Sequence, residues 1–384
     1  MELPLATELH NLVVQVLPPL RRSAQRRLVW FVLGILLAES IVVRRMAVAQ
    51  AKRGGGSSSE ASHERRLRRF LNDPRMTWAQ TYAPALRRLL RWKPAQPVYL
   101  LVDESGHTDQ VRLLLAALWY QGRAIPLAWV QRTFALPDEV SYWDLTGRLL
   151  EQVAEVLPRD LPVIVIADRA FGTPAFTQQV EQHGWNWVVR VQGQTCFRDC
   201  QGRRWRLRDT VPHPGSRWKG QGEVFRKKGW QPASVVAFWD THHQEPLIVV
   251  SNLSRRWELI RLYLKRGAIE GLFRDWKSGG WHWESSQVRD FTHREHQYLG
   301  MAWATLLCLG VGREVARGIL HGDSVRQGKR VRWTRSSLFT LGRNQIQHWL
   351  VHPALPPAWV LPLEEDQTWE EQVAQRQRHA RIFA

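Results

Sequence analysis

VYLLVDESGHTDQVRLLLAALWYQGRAIPLAWV, residues 98–130, decides the fold. Val98 to Asp103 reads as a buried strand that ends in an acid. Val111–Trp119 and Ile125–Val130 read as two further strands, and Gln121-Gly122-Arg123 between them carries hairpin-turn chemistry. Working outward, Pro137–Leu157 has the spacing of a helix through Leu145, Leu149, Val153 and Val156. PVIVIAD, Pro162 to Asp168, is a second buried strand ending in an acid. Thr173–His183 is helical, with Pro174 in its first turn, and Asn186–Val191 is another strand. The order is strand, strand, strand, helix, strand, helix, strand. Periodicity supports an α/β fold with an antiparallel part.

The flanks read differently. Pro94 and Pro97 mark a boundary, and residues 1–94 read as a helical N-terminal region. Its segments include Ser23–Ser40, Glu60–Leu71 and Trp78–Trp92, with the flexible chemistry of Gly54–Ser59 between them. Residues 192–253 are polar and Gly-rich, with short strands at Ser234–Trp239 and Pro246–Ser251. They read as a β-rich insertion within a catalytic domain of residues 95–300. A helix is expected over Trp257–Trp276, and residues 301–384 read as a mostly helical C-terminal region.

Composition limits the function. The 384 residues carry a net charge of +19, and 44% are hydrophobic, which excludes a disordered or fibrous chain. Basic clusters recur at Arg65–Arg69, Arg87–Lys93, Arg203–Arg208 and Arg326–Arg335. Such distribution suggests a long nucleic-acid path bound through phosphates. Cys196, Cys200 and Cys308 are too few and unpaired for a disulfide framework, and C-x3-C alone is half a zinc site. The chain is therefore expected in the cytoplasm. The apolar run Leu28–Ala38 falls short of the roughly 20 residues that span a bilayer, so no membrane partner is expected. Most of the 21 Trp must serve as core.

In-line cleavage of a phosphodiester needs both the attacking and the leaving oxygen stabilised. Two hard divalent cations do this, and they take carboxylate oxygens. Asp103 and Asp168 are two such carboxylates on rigid strand ends. Tyr263, Arg266, Glu270 and Lys277 supply the rest. At 3.6 residues per turn they fall near one helix face, a metal ligand flanked by phosphate-binding donors.

With LLVDES around Asp103, ADRAFG around Asp168 and YLKRGAIEGLFRDWK from Tyr263 to Lys277, the chain resembles DDE transposases of the insertion-sequence-four family. The last stretch matches that family's YREK pattern, and the likeness runs over about residues 60–300. It implies a ribonuclease-H-like mixed sheet, with Asp103, Asp168 and Glu270 as catalytic residues holding two Mg²⁺, or Mn²⁺. Tyr263, Arg266 and Lys277 would grip DNA phosphates. A Trp of the insertion would stack on a flipped base; Trp239 is the candidate, with Trp230 and Trp257 competing. The partners implied are transposon terminal inverted repeats, target DNA and a second copy of the chain in a synaptic homodimer. His107, His282 and Arg169 are weaker candidates for metal or phosphate contact. Glu104, Asp109, Asp275 and Glu284 read as ordinary surface or supporting acids. A domesticated transposase-derived DNA-binding protein and a ribonuclease-H-like nuclease without strand transfer are the competing readings.

Overall fold

The computed structural model describes residues 4–18, 20–53, 58–92, 96–108, 111–135, 140–254, 256–320, 336–351 and 361–362. The Gly-Ser stretch 54–57, Asp109 and the basic cluster from Arg326 to Arg335 lie outside them. So does most of the chain beyond residue 351.

Three long strands open the sheet: β1 (Val98–Thr108), β2 (Val111–Tyr120) and β3 (Arg123–Thr133). The β2–β3 turn is formed by Gln121 at φ 49° and Gly122 at φ 80°. Positive φ at both central residues gives the two-residue turn whose twist matches the strands, and glycine makes the second position easy. The helix α6 (Tyr142–Val156) starts on a capping box, Ser141 with Asp144. It leads to β4 (Val163–Ala167), then α7 (Pro174–Gln182) and β5 (Asn186–Arg190). Strands β1, β4 and β5 run parallel, and β1, β2 and β3 antiparallel.

The insertion extends this sheet. Its strands are β6 (Cys196–Arg198), β7 (Arg204–Arg206), β8 (Arg217–Val224), β9 (Gln231–Phe238) and β10 (Leu247–Ser251). The result is a ten-stranded mixed sheet in the order β3-β2-β1-β4-β5-β10-β9-β8-β6-β7. Three of the insertion strands, β6, β7 and β8, were not read from the sequence. They are short or interrupted by glycine, so alternation over them is weak.

Helices gather at both ends of the chain. α1 (Pro4–Val16), α2 (Arg22–Ala38), α3 (Val43–Arg53), α4 (Glu60–Leu71) and α5 (Ala83–Leu89) precede the sheet. The apolar run Leu28–Leu37 is buried except for the half-buried Trp30, as a helix that is hydrophobic nearly all round must be. α10 (Phe291–Leu320) crosses residue 300 and packs against α2 and α11 (Leu338–Val351). Trp276, Trp281, Trp283 and Trp303 are fully buried, the first and third of them against the Tyr298 ring, so these indoles are core. Among the described residues one helical stretch, Phe291–Arg317, is long and apolar enough to cross a membrane, and 89% of its most apolar 18-residue window is buried inside the protein.

Three expectations need correction. The strand of Asp103 does not end there but runs on to Thr108, because β2 continues to pair with it after β4 has left. Trp78–Trp92 is not one helix. It begins with a wide turn over Trp78–Tyr82, continues as α5, and becomes extended at Leu90–Arg91, which pairs with Leu361–Pro362. Trp257–Trp276 divides into α8 (Glu258–Leu264) and α9 (Gly267–Trp276).

Candidate functional site

Sheet register brings the first two acids together. Val102 of β1 sits opposite Ala167 of β4 in a parallel pair, so the next residues, Asp103 and Asp168, are neighbours across adjacent strands. Ala167 in turn sits opposite Val189 of β5, which places Arg190 beside Asp168 in the same row. The row lies at the carboxyl ends of β4 and β5 and where β1 leaves its parallel partner, the side on which open α/β sheets hold their ligands.

The first turn of α9, entered through a tight turn from α8, supplies the third acid. Lys265 and Arg266 keep right-handed helical dihedrals. Their hydrogen bonds tighten: the Lys265 amide donates to the Leu262 carbonyl at 3.1 Å and the Arg266 amide to the Tyr263 carbonyl at 2.9 Å. Three-residue closure aligns Tyr263 with Arg266, and Glu270 follows one turn later. Lys277 does not share this line. It is the residue that closes α9, and its ammonium pairs with Glu284 at 3.2 Å.

One guanidinium joins all three carboxylates. Nη2 of Arg266 lies 2.8 Å from Asp103 Oδ2 and 3.7 Å from Asp168 Oδ2, and Nη1 donates to Glu270 Oε1. The side chains grade from closed to open: Asp103 is 12% exposed, Asp168 29% and Glu270 60%. Burial, helped by Asp168 and Glu270, pushes Asp103 up to about 6 against the pull of Arg266 and of the Glu104 amide. Burial works against the charge of Arg266, but Asp103, Tyr263, Asp168 and Glu270 outweigh it and hold the guanidinium above its ordinary range. Among the described residues no three His, Cys, Asp or Glu side chains lie close enough to hold one metal ion in this arrangement. What the site offers is three carboxylates on one cation, a donor set whose chemistry suits a hard divalent metal.

Tyr263 is buried, which raises its phenol, while the neighbouring guanidinium groups of Arg266 and Arg190 act the other way. Sequence reasoning missed Arg190. Its signal was a basic residue closing the apolar strand NWVVR, the next parallel strand after the one that carries Asp168.

Beyond Arg190 a cavity of about 680 Å³ opens between the core and the insertion, lined by Arg169, Arg190, Gln192, Arg208, Trp239 and Glu245 among others. Trp239 is half-buried there, and its indole N–H donates to the His243 carbonyl at 2.9 Å. Of the competing indoles, Trp230 is covered by the guanidinium groups of Arg198 and Arg204, at 4.6 and 5.6 Å from its ring centroid. Trp257 is exposed. Arg169 pairs with Glu245 at 3.3 Å.

Three of the neighbouring acids have their own partners. Glu104 is gripped through both oxygens by Arg132, Asp275 by Arg123 and Glu284 by Lys277. His107 has no described side chain. His282 sits at φ 52°, ahead of the turn at Trp283. The three thiols are free, and Cys308 is buried.

No curated protein matches this chain. Residues 138–307 match the family model of the transposase DDE domain, over a stretch that takes in Asp168, Tyr263, Arg266 and Glu270 and leaves Asp103 outside it.

Proposed function

We propose that the chain is a DDE transposase of the insertion-sequence-four kind, built on a ribonuclease-H-like sheet. Asp103, Asp168 and Glu270 would hold two Mg²⁺ ions, with Mn²⁺ as a substitute. The observation that carries this reading is the convergence of those three carboxylates on Arg266. The transposase DDE domain match over residues 138–307 supports it.

Bound metal would supply Lewis-acid stabilisation of the attacking and leaving oxygens. The protein's own groups bind and orient the DNA. Arg266, fork-shaped and permanently charged, suits a phosphate at the mouth of the site. Tyr263 and Arg190 stand behind it as further donors. Lys277 would reach a phosphate farther along by leaving Glu284. Trp239, in its basic cavity, would stack on a base drawn out of the helix. The helical region 1–94 would read the terminal inverted repeats, and two copies of the chain would bridge two ends before joining them to target DNA by a cut-and-paste route.

The test is a plasmid carrying the DNA that flanks this gene. Incubation with the protein and Mg²⁺ should cut both element boundaries, and omission of Mg²⁺ should leave the plasmid whole. Absence of boundary cuts across Mg²⁺ and Mn²⁺ titrations would contradict the reading.

A second expectation concerns the insertion. Strand pairing puts Arg204 and Arg206 of β7 on the same face as Arg217 and Lys219 of β8, and all four are exposed. As a phosphate-binding strip, each residue that meets DNA adds roughly 0.9 to the slope of log affinity against log salt. The variant R206Q/R217Q/K219Q should therefore bind duplex DNA with a slope shallower by about 2 to 3. Fluorescence anisotropy over a salt series measures it, and an unchanged slope would place the DNA path elsewhere.

A further inference from the structure

α9 is fastened to the β2–β3 hairpin at both ends. At its C-terminal end Asp275 pairs with Arg123, the first residue of β3. Gly271 leaves room for that guanidinium: a Cβ there would come within 3.1 Å of Arg123 Nη1. At the other end stands Lys265, in the tight turn between α8 and α9. Its ammonium lies 3.5 Å from the ring centroid of Trp119 and 4.4 Å from that of Tyr99. The two rings meet edge to face with centroids 6.0 Å apart, and both are buried. A cation over two buried ring faces is attracted more strongly than one in water.

The position of this seat matters. Tyr99 and Asp103 point to the same face of β1, since side chains alternate along a strand. Lys265 and Arg266 are consecutive. One is anchored on rings near the start of β1, the other on Asp103 farther along it. We propose that Lys265 is a positioning residue. Its seat on Trp119 and Tyr99 fixes the α8–α9 turn so that Arg266 and Glu270 stand over Asp103 and Asp168. The consequence for cleavage rests on the transposase reading; the seat itself does not.

Lys265→Met keeps a flexible stem and removes the charge. Lys265→Arg keeps a charge that stacks well on aromatic faces. Two measurements on the full-length protein separate the outcomes. In K265M, amides of residues 267–273 should exchange hydrogen about tenfold faster, while those of β4 and β5 keep their rates. End cleavage at saturating DNA should fall about tenfold with DNA affinity unchanged, and K265R should restore both. Unchanged exchange at 267–273 in K265M overturns the proposal whatever cleavage does. Exchange accelerated equally through the whole chain overturns it too, because that is general destabilisation. Faster local exchange with undiminished cleavage shows a seat without a positioning role and also overturns it. If the wild-type protein cuts no DNA, the transposase reading fails, and the exchange result alone decides the seat.

Discussion

Asp103→Asn is expected to lower metal-dependent end cleavage by roughly a thousandfold or more, without unfolding the protein. Asparagine has nearly the same shape but offers one neutral oxygen in place of a shared charge, so a divalent cation loses a ligand it cannot replace. The fold does not depend on that charge. Burial holds the Asp103 carboxyl up at about 6, well above an exposed aspartate, so its ionised form is less favourable in the folded chain than in the unfolded one. The sign follows: the folded state binds the extra proton between about 4 and 6, and the stability it contributes is lost as pH rises through 6. The neutral variant escapes this. In EDTA, D103N should match the wild type near pH 4 and equal or exceed its melting temperature at pH 7.5, while cutting nothing in Mg²⁺. Retained cleavage would remove Asp103 from the site. A large loss of melting temperature at pH 7.5 would mean that its ion pair with Arg266 outweighs the cost of burial.

Gly342→Val is expected to produce the largest loss of stability of any single change far from the carboxylates, about 3 kcal/mol or more. α10 and α11 cross with backbone against backbone. A Cβ at Gly342 would overlap the carbonyl of Cys308, and one at Gly312 would overlap that of Leu338. Neither neighbour is a side chain that can rotate away, so the helices must part. α11 is tied to the rest of the protein near the candidate site. Arg343 donates to the Gly279 carbonyl at 3.0 Å, and Phe339 meets the Trp281 ring at 5.2 Å between centroids. Thermal unfolding should show a fall of roughly 4 °C or more for Gly342→Val, and a smaller fall for Gly342→Ala. A Val variant melting within about 1 °C of wild type would show that the crossing is looser than described.

The readable parts of this chain are those where a local pattern and a chemical need coincide. Asp103 and Asp168 stood out because an acid after an apolar run is costly unless something at the strand end uses it. Their adjacency is a property of parallel register, which two separate strands in a sequence do not state. Gln121-Gly122 announced its turn because few residues accept positive φ. The break between α8 and α9 was harder to see: Gly267 was its only local mark, and helical spacing continues through it from Tyr263 to Glu270. That continuity is why Tyr263, Arg266 and Glu270 could be grouped from spacing, and why Lys277, beyond the end of α9, was grouped with them although it turns to Glu284. Arg190 and Lys265 went unread because their roles come from strands and rings distant in sequence. Gly312 and Gly342 carry no local signal of their contact at all, since a close helix crossing is purely tertiary.

The central claim is that Asp103, Asp168 and Glu270 share bound metal. Iron-directed cleavage of the polypeptide reads this directly. Fe²⁺ takes the place of Mg²⁺ in the DNA-bound protein, ascorbate and peroxide generate hydroxyl radicals at the ion, and mass spectrometry locates the breaks. The expected result is a set of breaks near all three acids that excess Mg²⁺ suppresses and D103N removes together. Breaks near only one of the acids, or breaks that D103N leaves in place, would contradict it.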